Sequence, residues 1–167
     1  MYLSRMQRDS SANRDVNLLW GTYTWILFHW MGQQIKEEYF QEEREKLLTF
    51  IVKICSLLPC PTCREHARDY LKHTSINLVR TKDELRHYLF HFHNSVNLRS
   101  KKEYQPHSIL DKYKQINFDL LFKSWDYHFS FGNDIQRNDF MAKRNLSTLK
   151  QRLKTYFSEN HHKFLMI

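Results

Sequence analysis

Apolar positions recur at intervals of three and four through most of this chain, the spacing of helices that bury one face. Over residues 16–34, Gly21/Thr22, Trp25 and His29 fall on one stripe, while Leu19, Tyr23, Ile26 and Trp30 thicken the apolar side. A first helix is predicted there. A second, over residues 40–57, carries Leu48, Ile51/Val52, Cys55 and Leu58 on its apolar stripe, with Glu42, Glu43 and Glu45 suited to its N-terminal dipole. It stops near Pro59, because the residue before a proline avoids the helical region. A third begins at Cys60, with Pro61 in the first turn and Ala67, Tyr70 and Leu71 turned inward. The fourth, residues 82–98, follows Thr81 with Glu84 three places on, a capping box, and its stripe is Leu85, Leu89, Phe92 and Val96.

Four helices joined by short links predict an all-α fold built as an antiparallel four-helix bundle. The pattern loosens around Pro106 and resumes over the aromatic-rich residues 116–129, a shorter fifth helix. A last amphipathic segment places Leu146, Leu149, Leu153 and Tyr156 on one side and Arg144, Lys150, Arg152 and Lys154 on the other. The chain therefore divides into an N-terminal tail (1–15), a helical domain (16–130) and a basic helical C-terminal extension (131–167).

Composition agrees with this division. Three glycines and three prolines in 167 residues are too few turn formers for a chain of many hairpins, and 41% hydrophobic residues suffice for one continuous core. Lysine and arginine exceed aspartate and glutamate by 26 − 18 = 8, most densely after residue 98. An anionic partner is worth considering, but acids interleave with the bases over most of the chain, so nucleic acid is not the expected partner. No apolar run approaches the ~20 residues of a membrane span, and none behind Arg5 and Arg8 suits a signal peptide. A cytoplasmic protein is expected, and the Asn145-Leu146-Ser147 sequon then has no role.

Two of the three cysteines form Cys60-Pro61-Thr62-Cys63. At a helix N-terminus, backbone N–H groups and the dipole favour the thiolate, which makes Cys60 a nucleophile for thiol–disulfide exchange and Cys63 its resolving partner. A thioredoxin-like fold would need strands around the motif, and the flanking periodicity gives none. A zinc site from Cys60, Cys63, His87 and His91 has workable spacing, but such sites usually hold folds that lack a core of their own. No metal is expected. Cys55 reads as a core residue.

Two further constellations accompany the cysteines. Gly21, Trp25 and His29 lie at i, i+4 and i+8 of one helix, and His93, Asn97 and Lys101 share a face of another. Rings for stacking, amides for heterocycle edges and cations for phosphate suit a flat aromatic ligand carrying a pyrophosphate. Asn97 beside an apolar face needs a polar partner in any case.

Taken in order, Gly21-x-x-x-Trp25-x-x-x-His29, Cys60-x-x-Cys63 and His93-Asn94-x-Val96-Asn97 followed by Lys102 resemble the motifs of the Erv/ALR sulfhydryl oxidases over residues 18–104. Pro59-Cys60-x-x-Cys63-x-x-His66-Ala67 is similar to the compact viral members in particular. The resemblance implies a four-helix bundle cradling FAD, a short fifth helix and a homodimer. It implies Cys60 and Cys63 as the catalytic pair, and Gly21, Trp25, His29, Cys63, His93, Asn94, Val96, Asn97 and Lys102, with Lys101, as cofactor-binding residues. The implied reaction forms disulfides in protein thiols and passes the electrons through FAD to molecular oxygen, giving hydrogen peroxide.

Two departures qualify this. Thr22 stands where the family usually has arginine, which shifts the phosphate contact toward Lys101, Lys102 or a residue that the sequence does not identify. The shuttle cysteine pair of cellular members is missing, so the expected partner is a thiol protein that reaches Cys60 directly, a small dithiol redox carrier. The viral pattern implies host cytoplasm or the virion as the place of action. Trp125 is a candidate counterpart of a tryptophan that follows the fifth helix in relatives. A zinc-stabilised nucleic-acid module and a flavin-free adaptor are the competing classes, and a visible flavin spectrum separates all three readings.

Overall fold

The computed structural model describes the backbone of residues 3–136 and 139–165, and the side chains of residues 19–133 and 139–165. The side chains of the expected N-terminal tail, and all of Met1 and Tyr2, lie outside the described residues. Among the described residues, six α-helices follow in chain order: α1 (Leu3–Gln34), α2 (Glu37–Ser56), α3 (Pro61–His73), α4 (Lys82–Arg99), α5 (Phe118–Gln136) and α6 (Phe140–Glu159). Short 3-10 turns lie at Ile76–Leu78, His107–Tyr113 and His161–Lys163. The chain is all-α, as its periodicity predicts.

α1 is the axis. It packs along α4 and α5, while α2 packs on α3 and α6, and α6 also touches α5. Contacts at Trp30–Phe118, Thr24–Trp125 and Trp20–Phe129 show that α5 runs antiparallel to α1. Trp25–Phe92 and Gly32–Arg86 show the same for α4. Trp30, fully buried, gathers Phe118, Phe157 and Phe164 at centroid distances of 4.7–5.3 Å, and its Nε1 donates to the Ile116 carbonyl at 3.1 Å. An indole can fill a core only with its N–H paired, and here it is.

The predicted stripes are largely inside: Leu48, Ile51, Cys55 and Leu58 on and after α2, and Leu85, Leu89 and Phe92 on α4. The Thr81–Glu84 capping box opens α4 as expected. α1 begins well before the predicted start at residue 16, since no glycine or proline interrupts residues 3–20.

Glu43 departs from its expected role. α2 opens at Glu37 with Glu37 and Glu38 in its first turn. Glu43, 0% exposed, instead accepts from Tyr156 at 2.7 Å and Lys163 at 2.5 Å. Burial alone would raise its carboxyl, but Lys163, Tyr156 and Lys46 hold it below its ordinary value. A buried charge is tolerated only when paired in this way.

The C-terminal segment is joined to the core. Leu146, Leu149, Leu153, Tyr156, Phe157 and Phe164 belong to the same apolar cluster as α1 and α2. The expected boundary after residue 130 falls within α5, because a helix continues past its last aromatic residue until something stops it. Among the described residues, no helix is long and apolar enough to cross a membrane.

Candidate active site

Cys60 is the N-cap of α3, with extended backbone and Pro61 at N1, so the chain turns into the helix on the cysteine itself. Its Sγ accepts from the Cys63 N–H at 3.1 Å, and the two cysteines form a disulfide with Cα atoms 5.1 Å apart. The preceding turn is held from two sides. Arg64 Nη1 donates to the carbonyls of Leu58 (2.6 Å) and Pro59 (3.1 Å). From α5, Gly132 lies against Pro59 so closely that a Cβ there would be 2.9 Å from Pro59 Cγ and 3.0 Å from Trp20 Cδ1. Cys60 and Cys63 are both half-buried, and Pro61 and Thr62 between them are exposed.

Behind the disulfide is a cavity of about 340 Å³ between α1, α3 and α4. Cys63 lines it and Cys60 does not. Of the sequence-predicted cofactor residues, Gly21, Trp25, Cys63, His93, Val96, Asn97 and Lys102 line it. Trp25 stacks on His93 with centroids 4.2 Å apart and planes 7° from parallel.

His29, Asn94 and Lys101 do not line it, and each has an identifiable task beside it. His29 Nε2 lies 3.0 Å from His93 Nδ1, and its ring stacks on Tyr113 at 4.4 Å. Burial, and then the charge of its neighbour, pushes His29 down to about 3. Burial, with the Lys102 charge, pushes His93 down to about 4. Two neutral imidazoles can share one hydrogen bond, one donating and the other accepting. Asn94 accepts from Gln105 N at 2.8 Å, donates to Gln105 O at 3.1 Å and accepts from Asn97 at 3.4 Å, which ties down the chain after α4.

Lys101 does not continue the helical stripe expected of it. α4 ends with Lys101 in the left-handed region (φ 56°), Lys101 N donating to Leu98 O (3.1 Å) and Lys102 N to Asn97 O (2.8 Å). This Schellman closure breaks the helical register, so that Lys102 rather than Lys101 reaches the cavity wall. The place usually goes to glycine, which leaves no local signal of the turn in Lys101-Lys102.

Other cavity residues were missed. Arg99 joins Lys102 among the lining residues and supplies a second cation where Thr22 supplies none. Trp20, Tyr113, His66 and Cys55 also line it. Tyr113 arrives from a 3-10 turn, where no periodicity could flag it. His66, one turn after Cys63 on α3, had the spacing to be found. Cys55 is the buried core thiol that its stripe predicts, pushed up to about 12 by burial. Trp125 is buried among the core aromatics, donates to Thr24 Oγ1 at 3.2 Å, and does not reach the cavity.

Two observations test whether these residues suit FAD. A Cβ on Gly21 would meet nothing within 4 Å, so the cavity wall has open space against the helix backbone there. Trp20 Nε1 is a buried donor with no partner among the described residues, and its residue lines the cavity. A stacking pair, amide edges, an unpaired donor and two cations fit a flavin dinucleotide. Among the described residues, no three of His, Cys, Asp or Glu gather where they could hold a metal ion, and His87 of the alternative zinc set lies tilted against His107 with ring centroids 5.0 Å apart.

The Erv1 / Alr family model matches residues 22–118. The 096R protein of Invertebrate iridescent virus 3 is 30% identical over 98 residues, 58% of this chain and 66% of that protein. The FAD-linked sulfhydryl oxidase of African swine fever virus (isolate Pig/Kenya/KEN-50/1950) is 29% identical over 110 residues, 66% of this chain and 89% of the relative. FAD-linked sulfhydryl oxidase ERV2 of Saccharomyces cerevisiae is 34% identical over 96 residues, 56% of this chain and 47% of that protein. No solved structure matches.

Proposed function

The chain belongs to the Erv1/Alr family, and from that premise we propose that it is a FAD-linked sulfhydryl oxidase whose Cys60–Cys63 disulfide takes electrons from protein thiols. One observation carries the assignment of roles. The disulfide stands at the edge of an aromatic cavity that Cys63 lines and Cys60 does not.

A substrate thiolate attacks Cys60 Sγ along the S–S axis, forming a mixed disulfide and releasing Cys63 as a thiolate. A second substrate thiolate attacks the substrate sulfur of that bond, releasing an oxidised substrate and the Cys60 thiolate. Two electrons now reside on the Cys60/Cys63 dithiol. The Cys63 N–H and the α3 dipole stabilise Cys60 as the leaving thiolate. Trp25 and His93, stacked on one another, would offer the flavin dinucleotide an aromatic wall, Gly21 would leave it room against the backbone, Asn97 and His93 would offer polar edges, and Arg99 and Lys102 would hold its pyrophosphate. When bound, FAD supplies the two-electron acceptor that oxygen restores, with hydrogen peroxide as product. Cys55, protonated at neutral pH and buried, takes no part.

The partner is a small dithiol carrier protein. Of the three cysteines in this sequence Cys55 is buried, which leaves no second pair within it to relay electrons to Cys60. Lys53 and Arg152 line a groove between α2 and α6, and Leu57 in the same groove precedes Cys60 by three residues, about 11 Å of chain at most. A groove lined by cations next to the turn that leads into Cys60 favours an acidic approach surface. The working unit is a homodimer, for which exposed Leu120, Tyr127 and Phe131 on α5 offer apolar surface. The proposed place of action is host cytoplasm or the virion.

The test is oxygen consumption by purified protein with a dithiol. The expected result is a yellow protein, absorbing near ~450 nm as flavin does, that turns over as wild type and as Cys55→Ala but not as Cys60→Ser or Cys63→Ser. A folded, colourless protein, or turnover that survives loss of Cys63, would refute the reading.

A further inference from the structure

A second recess lies one helical turn along α1 from the His29 pair, with a volume of about 330 Å³. It is lined by Gln33 and Gln34 of α1, Lys82 and Arg86 of α4, Lys114 and Leu165. It shares no lining residue with the flavin cavity. Gly32 brings its walls together, since a Cβ there would lie 3.5 Å from Arg86 Cγ and 3.8 Å from Arg86 Cα. Gln34 fixes the turn carrying Lys114 by donating to the carbonyls of Tyr113 (3.2 Å) and Lys114 (2.7 Å).

The charged residues lining the recess are all cations. Two of its N–H donors are buried without a partner among the described residues: Nε2 of Gln33, a residue 7% exposed, and Nε of Arg86. Leaving a buried donor unpaired is costly enough that folded proteins rarely do it twice in one place. The nearby carboxylates reach these cations without lining the recess. Asp83 takes Arg86 Nη1 at 2.7 Å, Asp111 takes Lys114 Nζ at 2.6 Å, and Glu37 and Glu38, which act on Lys82 through their charge, do not line the recess. Among the described residues, the lining of the recess carries three cations and two unpaired N–H donors, and no carboxylate belongs to it.

We propose that this recess binds a phosphate-class oxyanion, with Lys82, Arg86 and Lys114 supplying charge and the Gln33 and Arg86 N–H groups completing its hydrogen bonds. Tetrahedral phosphate oxygens accept from several directions at once, and arginine and lysine are the usual partners. The volume, roughly ten waters' share of liquid, holds such a group with part of its hydration shell. Free phosphate and the terminal phosphate of a nucleotide present the same chemistry.

The experiment uses flavin-loaded protein, so that Arg99 and Lys102 are already engaged, and measures melting temperature against inorganic phosphate, ADP and chloride at constant ionic strength. Phosphate should raise the melting temperature saturably and chloride should not. Arg86→Met should weaken phosphate binding at least tenfold, whereas Lys72→Met, at an exposed cation of α3 that lines neither cavity, should leave the phosphate response intact. Gln33→Glu places a carboxylate where the ligand would sit. It should raise the melting temperature without phosphate and abolish the further rise with it. ADP binding tighter than phosphate would support the site and assign it to a nucleotide, and equal or weaker binding would support free phosphate. Equal shifts from phosphate and chloride, or an unchanged phosphate response in Arg86→Met, would overturn the proposal, and the latter decides the matter even if Gln33→Glu fails to fold.

Discussion

Replacing Gly21 by alanine separates what the flavin site costs the fold from what it does for the ligand. Gly21 lies in the interior of α1, where glycine is worse than alanine by about 0.5–1 kcal/mol. A Cβ there meets nothing within 4 Å, so no steric penalty offsets the gain. The flavin-free protein should therefore be stabilised by about 0.5–1 kcal/mol, a rise of roughly 1–4 °C in melting temperature for a chain of this size. The same methyl group occupies space in the wall of the cavity that Trp25, Cys63 and His93 complete. FAD affinity should fall by about tenfold or more, equivalent to about 1.4 kcal/mol. Thermal denaturation of the flavin-free variant and a fluorescence titration with FAD measure the two effects independently. Wild-type FAD affinity in a stabilised variant would refute the reasoning, because the open space at Gly21 would then serve no ligand.

Gly132→Ala acts on the other side of the disulfide. Its Cβ would push on ring atoms of Pro59 and Trp20 at 2.9–3.0 Å, so overpacking of about 1–3 kcal/mol should exceed the helix-propensity gain, and both the denaturation midpoint and turnover at Cys60 should fall; a variant more stable than wild type would show that Pro59 yields freely. The His29–His93 pair sets a pH dependence. The unfolded imidazoles take up protons below about pH 6.5, whereas the folded ones resist down to about 3 and about 4. Stability is thus full above pH 6.5 and falls as the pH drops, by up to about 1.4 kcal/mol per unit per histidine, and urea midpoints at pH 7.5 and 5.0 should show a drop that His29→Asn reduces.

The helices were legible because each buries a face, and period is a local property. Leu85, Leu89 and Phe92 could be assigned to a core before any partner was known, and the Thr81–Glu84 box marks a helix start through its own hydrogen bonds. Glu43 was not legible, since its partners Tyr156 and Lys163 lie more than a hundred residues away. Lys101 misled for a different reason. A non-glycine residue in the left-handed region is set by what packs around the helix end, here Asn94 and Gln105, and not by its own type. The motif residues on regular helix, Gly21, Trp25, Cys63, His93, Val96 and Asn97, meet at one cavity. Those contributed by turns and helix ends, Arg99 and Tyr113, needed the three-dimensional arrangement to be seen.

The division of labour between the two cysteines is the centre of the account, and trapping measures it directly. Cys63→Ser and Cys60→Ser are each incubated with a dithiol carrier protein, and the mixed disulfides are mapped by mass spectrometry. Cys63→Ser should accumulate a carrier adduct on Cys60 that cannot be resolved internally, while Cys60→Ser, whose remaining thiol lines the cavity, should yield little. A dominant adduct on Cys63 in Cys60→Ser, with Cys60 unreactive in its counterpart, would reverse the roles and contradict the mechanism.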